Sequence, residues 1–146
     1  MVVIRDFQLD DIGKVVYIAD ISLIEEYDEE LFFTLYSAPN SKFLVAIKDI
    51  MVVGFICGIF QTENKSRILM LAVHPLYRRQ GIGSSLLETF LNISAQKNVK
   101  KIFLEVRPTN HVALNFYRKR DFIPVEILED FYTDGESGIK MVKYML

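Results

Sequence analysis

The segment Tyr77-Arg78-Arg79-Gln80-Gly81-Ile82-Gly83-Ser84 has the make-up of an anion site. It follows a short apolar run and opens an amphipathic helix, so the first N–H groups of that helix point at whatever occupies the loop. Two glycines let the backbone approach a ligand with no Cβ in the way, and the adjacent arginines add fixed positive charge. A group that needs several convergent N–H donors together with cations is a pyrophosphate.

Several folds bind pyrophosphates this way, and two fit poorly. A P-loop requires Lys-Ser or Lys-Thr directly after its last glycine, whereas Ile82-Gly83-Ser84-Ser85 contains no lysine. A dinucleotide site is the closer decoy, since Gly81-x-Gly83 opens a helix and Glu105 stands near the end of the next strand. Against it, Leu86 replaces the third glycine, and His74 to Gln80 separate the strand from the first glycine where that motif has a tight turn.

The loop must be positioned by its neighbours, and periodicity supplies them. Val2 to Arg5 reads as a strand, Asp10 to Ile24 as a helix with Ile12, Val15, Val16, Ile18, Ala19 and Leu23 on one face. Ser22 to Pro39 reads as an acidic turn and a short second helix. Phe43 to Ile47 and Val52 to Gln61 form a hairpin around Lys48-Asp49, although no glycine marks the turn. Ile68 to Val73 is the strand that feeds the loop, residues 81–96 the helix that leaves it, and Lys101 to Arg107 the strand after that. Asn110 caps a helix over Val112 to Arg120, and strands over Phe122 to Phe131 and Ile139 to Leu146 close the chain. The order β-α-α-β-β-β-α-β-α-β-β predicts a mixed α/β sheet in which 68–73 and 101–107, joined by a right-handed crossover, lie parallel. The ligand belongs at their carboxyl ends.

Composition limits the alternatives. With 146 residues, 51% hydrophobic and 25% charged, the chain is expected to form one globular domain over residues 1–146. A net charge of −2, with cations clustered locally, gives no reason to expect nucleic-acid binding. No apolar stretch approaches the ~20 residues of a membrane helix. The lone Cys57 sits in an apolar run and fits a reducing cytoplasm. No carboxylate or cysteine cluster stands at metal-ligand spacing around His74 or His111. The expectation is a monomer or a homodimer.

Arg78-Arg79-Gln80-Gly81-Ile82-Gly83 resembles the acetyl-coenzyme A signature, Arg/Gln-x-x-Gly-x-Gly/Ala, of the GNAT superfamily of N-acetyltransferases. Leu71-Ala72-Val73-His74-Pro75, Leu104-Glu105-Val106-Arg107, Asn110 and Asn115-Phe116-Tyr117 resemble, in order and spacing, the branch that acetylates protein N-termini, typified by the ribosomal-protein alanine acetyltransferases. The likeness is close over residues 66–132 and holds only in the order of elements before that. It implies the GNAT fold, a mostly antiparallel mixed sheet with a central parallel pair and flanking helices. It also implies acetyl-coenzyme A as cosubstrate, no metal, and a protein or peptide N-terminus as acceptor. Lysine side chains or small amines are the alternative acceptors, and a non-catalytic coenzyme A-binding subunit is the alternative outside enzymes.

The resemblance also implies roles. Arg78, Arg79, Gln80, Gly81, Ile82, Gly83 and Ser84 would hold the pyrophosphate, Leu71, Ala72 and Val73 would pair with the pantetheine arm, and Asn110 and Tyr117 would contact that arm. Glu105 matches the general base, and Tyr117 the general acid for the departing thiolate. An α-amine with a pKa near ~8 loses its proton far more easily than a lysine near ~10.4, which suits a carboxylate base. The plain alternatives are a Glu105 paired with Arg107 along the strand and a Tyr117 that is simply core. Tyr27 and Tyr132 would bracket a peptide, and Glu25 would attract its ammonium group. Asp121 stands where the family commonly has glycine, at a helix C-cap that often takes a left-handed conformation.

Overall fold

The structure is a computed structural model and describes residues 1–146. Its elements run β1 (Val2–Asp6), α1 (Ile12–Ser22), α2 (Glu29–Ser37), β2 (Ser41–Lys48), β3 (Met51–Gln61), β4 (Lys65–Val73), α3 (Ile82–Gln96), β5 (Lys101–Val106), α4 (His111–Arg118), β6 (Ile123–Leu128) and β7 (Gly138–Tyr144). The order matches the sequence reading, while several ends move. α1 stops at Ser22, two residues early, and β6 stops at Leu128, before Asp130 turns the chain with φ +51°. No helix is long and apolar enough to cross a membrane.

One seven-stranded sheet carries everything, in the order β1-β2-β3-β4-β5-β7-β6. Every pairing is antiparallel except that of β4 with β5. That parallel pair is short: Lys65, Ser66 and Arg67 face Lys101, Ile102 and Phe103, and there it ends. Beyond this point β4 stays with β3 as far as Val73 opposite Gly54, and β5 stays with β7 as far as Val106 opposite Ile139. The sheet therefore splits into a wedge whose two edges are the carboxyl halves of β4 and β5.

The two faces of the sheet are packed separately. On one, α3 contributes Ile82, Leu86, Leu87 and Phe90 and α4 contributes Leu114 and Tyr117; on the other, α1 and α2 contribute Val15, Ile18, Ala19 and Phe32. Alternation along β2 feeds both, with Leu44 and Ala46 in the first core and Phe43 and Val45 in the second. Gly58 seats α3, because a Cβ there would stand 2.5 Å from the Phe90 ring.

Local chemistry sets the ends that matter for a site. The Asp28 side chain accepts from the Leu31 amide at 2.9 Å and starts α2, and Asn110 Oδ1 accepts from the Ala113 amide at 3.1 Å and starts α4. Asp121 adopts φ +69° after α4, the left-handed conformation expected of that position. The β2–β3 turn is a two-residue one in which Asp49 and Ile50 both have positive φ, +50° and +63°. That is the geometry a tight hairpin demands, made here without glycine or asparagine.

Candidate active site

The wedge opens into two adjoining cavities. The larger, about 710 Å³, runs under the start of α3, and the smaller, about 380 Å³, lies between the α1–α2 loop, the β4–β5 split and the segment after β6. Leu71, Asn110 and Tyr117 line both and mark where they meet.

The larger cavity carries the anion chemistry. Gly81 takes φ +77° just before α3, and Arg79 takes φ +63°, an uncommon conformation for a residue with a Cβ. The first amide bonded back within the helix is that of Ser85, to Gly81 O at 3.0 Å, which leaves those of Ile82, Gly83 and Ser84 unused. Neither Arg78 nor Arg79 has a carboxylate partner, and Arg78 Nε instead donates to Val73 O at 3.3 Å. A Cβ on Gly83 would meet only Phe116 and Val73 at ordinary distances, 3.5 and 3.7 Å, on the cavity wall. Free amides, unpaired cations and a bare glycine wall fit a pyrophosphate. Past Arg67, the β4 edge that faces β5 has no strand partner and runs along this cavity through Leu71, Ala72 and Val73.

Of the residues expected at the cofactor, Leu71, Ala72, Val73, Arg78, Arg79, Gly81, Ile82, Gly83, Ser84, Asn110 and Tyr117 line this cavity. Gln80 does not. Its side chain turns away to accept from Lys48 Nζ on β2, so only its backbone belongs to the loop.

Glu105, Glu25, Tyr27 and Tyr132 come together in the smaller cavity. The pairing with Arg107 along the strand, the plain alternative for Glu105, is not found. Its Oε1 accepts from Nε and Nη2 of Arg67, at 2.9 and 2.7 Å, across the mouth of the wedge. Oε2 accepts no hydrogen bond within the protein. Arg107, the partner in that alternative, is buried and serves a different set: it donates to Glu25 from the α1–α2 loop, and to Asp134 and Glu136 of the β6–β7 connection at 2.9 and 2.8 Å. Glu25 gives one oxygen, Oε1, to Arg107, while its Oε2 accepts no hydrogen bond within the protein.

The phenols are held protonated. Burial pushes Tyr132 up to about 12, with the Glu25 charge adding to it and Arg107, whose guanidinium lies 4.0 Å from the ring centre, opposing it. Tyr27 is raised by burial and by Glu25. Tyr117 is only 8% exposed and burial raises it well above an ordinary phenol, with Arg120 opposing weakly. Its hydroxyl has no hydrogen-bond partner in the protein, yet no buried side-chain polar atom is left unpartnered, so the hydroxyl touches open cavity.

Sequence reasoning missed Arg67, the Arg107 network and Arg120. Arg67 carries no local mark, since its partner lies 38 positions away. Asp134 and Glu136 read as ordinary turn residues. Arg120 stood in a basic run at the end of a helix. No group of three or more His, Cys, Asp or Glu side chains is placed to hold a metal ion.

Comparison with known proteins identifies the family and the fold. Residues 9–122 match the profile of the acetyltransferase (GNAT) family. An N-alpha-acetyltransferase of Saccharolobus solfataricus is 32% identical over 152 aligned positions, covering 96% of this chain and 91% of the relative. The crystal structure of Ard1 from Thermoplasma volcanium superposes with a TM-score of 0.94 at 35% identity, over 99% of this chain and 98% of that one. The ribosomal-protein-S18-alanine N-acetyltransferase from Escherichia coli shares the fold, with a TM-score of 0.89 at 24% identity over 99% and 94% of the two chains.

Proposed function

The chain belongs to the GNAT family and is an acetyl-coenzyme A-dependent N-acetyltransferase, and from that premise we propose that its acceptor is the α-amine of a protein or peptide N-terminus. The observation that carries this reading is the junction of the two cavities at Leu71, Asn110 and Tyr117, with Glu105 on one side and the free amides of α3 on the other. The name of the Saccharolobus relative, an N-alpha-acetyltransferase, favours the same acceptor.

Bound acetyl-coenzyme A supplies an acetyl group activated as a thioester. The Ile82, Gly83 and Ser84 amides, with Arg78 and Arg79, would hold its pyrophosphate, and the open edge of β4 would pair with its arm. Glu105, fixed through Oε1 by Arg67, has Oε2 free to take the proton of an incoming ammonium. Tyr117, kept protonated by burial, gives a proton to the departing thiolate. Tyr27 and Tyr132, both still phenols at neutral pH, donate hydrogen bonds to the backbone of the peptide between them.

A thiol-release assay with acetyl-coenzyme A tests this directly. Peptides with free N-termini and varied first residues are compared with a lysine peptide whose N-terminus is blocked and with polyamines. Release with free N-termini is expected, and release confined to lysine or polyamines would transfer the protein to the alternative acceptors. Glu105→Gln and Tyr117→Phe should lower turnover by about 100-fold and about 10-fold while leaving coenzyme A binding intact. Unchanged turnover in both would remove these two residues from the reaction.

A further inference from the structure

Four arginines in this protein are partly or wholly withdrawn from water: Arg5, Arg67, Arg107 and Arg120. Three have carboxylate partners, Arg5 with Asp11, Arg67 with Glu105, and Arg107 with Glu25, Asp134 and Glu136. Arg120 has none. Its guanidinium lies on the Phe116 ring, with Cζ 3.9 Å from the ring centre. Nη1 donates to Phe116 O at 2.8 Å, and Nη2 donates to the Ser84 hydroxyl. These contacts fix the plane of the guanidinium and consume two of its five N–H donors.

What remains faces the larger cavity, which Arg120 lines together with Arg78 and Arg79. Its partner Ser84 is also the residue whose amide is one of the three left free at the start of α3. The cation therefore stands beside the free amides, from the α4 side, while Arg78 and Arg79 stand on the loop before α3. A partly desolvated guanidinium with no internal acid, immobilised by stacking and bonded to the side chain of a residue whose amide is free, is matched to an anionic ligand atom rather than to the fold alone.

We propose that Arg120 is a phosphate-binding residue of the cofactor cavity, completing with the Ile82, Gly83 and Ser84 amides a clamp on one phosphate of coenzyme A. The proposal rests on the reading of this cavity as the coenzyme A site. Coenzyme A carries two sources of that chemistry, the pyrophosphate and the 3′-phosphate, and the ligands below separate them.

Dissociation constants are measured by calorimetry for coenzyme A, 3′-dephospho-coenzyme A and phosphate-free pantetheine, with the intact chain and with Arg120→Gln and Arg120→Met. Glutamine keeps polar contacts toward Phe116 and Ser84 without the charge, and methionine keeps an apolar stem on the Phe116 ring, so a folded variant of either kind decides the matter. Coenzyme A is expected to bind at least ten-fold more weakly to the variants, with melting temperatures close to that of the parent. A loss shared by dephospho-coenzyme A assigns Arg120 to the pyrophosphate, and a loss confined to coenzyme A assigns it to the 3′-phosphate. Equal dissociation constants in parent and folded variant, or an equal loss for pantetheine, would overturn the proposal while leaving the cavity assignment standing. Failure of the parent protein to bind coenzyme A at all would instead remove the reading on which the proposal rests.

Discussion

Arg67 donates from both Nε and Nη2 to one oxygen of Glu105, Oε1, from the last position at which β4 pairs with β5. The guanidinium bridges the wedge at its apex and anchors one oxygen of a carboxylate whose second oxygen is left to the cavity. If Glu105 is the base, Arg67 is a positioning residue that acts through it. Arg67→Met should lower kcat by about ten-fold with little change in the KM for acetyl-coenzyme A. In a Glu105→Gln background the same substitution should add almost nothing, since residues acting as a unit are not additive. Steady-state kinetics of the two single variants and the double variant provide the check. Equal losses in both backgrounds would mean that Arg67 acts independently of Glu105.

Arg107 ties together two chain segments that the sheet itself leaves apart. Burial disfavours its cation, but hydrogen bonds to Glu25, Glu136 and Asp134 more than offset this and raise its pKa. Replacing it by methionine leaves three carboxylates facing one another around the Tyr132 ring. Because those acids are partly exposed, the cost should fall toward the low end for a broken buried pair, about 2–3 kcal/mol. For a chain of this size that is a drop in Tm on the order of 5–10 °C. Both loops line the acceptor cavity, so the KM for peptide should rise more than the KM for acetyl-coenzyme A. Unchanged Tm and peptide KM would show that the loops hold their places without Arg107.

The elements were legible in the sequence because periodicity and capping are local. So was the anion loop, where glycines, arginines and a helix start are contiguous from Arg78 to Ser84. The partners of Glu105 and Arg107 were not. Alternation put the two side chains on one face of one strand and suggested that they pair, but the β4–β5 split brings Arg67 nearer to Glu105 than its strand neighbour is. Arg107 lies beyond the last β5 pair, where the β6–β7 connection and the α1–α2 loop converge on it. Such contacts depend on where a sheet divides, which no local pattern encodes. The direction of the Gln80 side chain was hidden for a related reason: the loop motif fixes the backbone, and Lys48, 32 positions earlier, claims the side chain.

The β2–β3 turn is a place where the chain departs from its own geometry. Ile50 is 98% exposed and holds φ +63°, so a β-branched side chain with no packing role occupies a left-handed position. Ile50→Gly should stabilise the protein by about 1 kcal/mol, and Ile50→Asn by somewhat less. Chemical denaturation of the three proteins measures this. A glycine variant less stable than the parent would show that the isoleucine contributes contacts which outweigh its backbone strain. Activity should be unchanged, since the turn contributes no residue to either cavity.

Arg5 and Asp11 give stability a defined dependence on pH. The guanidinium forks onto the carboxylate, Nη1 to Oδ2 at 2.8 Å and Nη2 to Oδ1 at 2.9 Å, and the Gln8 amide donates to Oδ2 at 2.8 Å. Burial alone would raise the pKa of Asp11, but the Arg5 and Gln8 hydrogen bonds outweigh it and hold the carboxyl below the usual range. A folded-state value below the unfolded one means that the folded protein binds this proton less readily. The pair's contribution is therefore complete above the ordinary aspartate value near ~3.9, and it is lost as pH falls below that value through the lower folded one. Asp11→Asn keeps the shape and removes the charge. At pH 7 it should cost roughly 1.5–3 kcal/mol, as expected for charge-assisted hydrogen bonds. The gap between parent and variant should then narrow steadily below about pH 4. Denaturation midpoints from pH 7 down to pH 3 measure both quantities, and a gap constant across that range would mean that Asp11 does not titrate differently in the folded and unfolded chains.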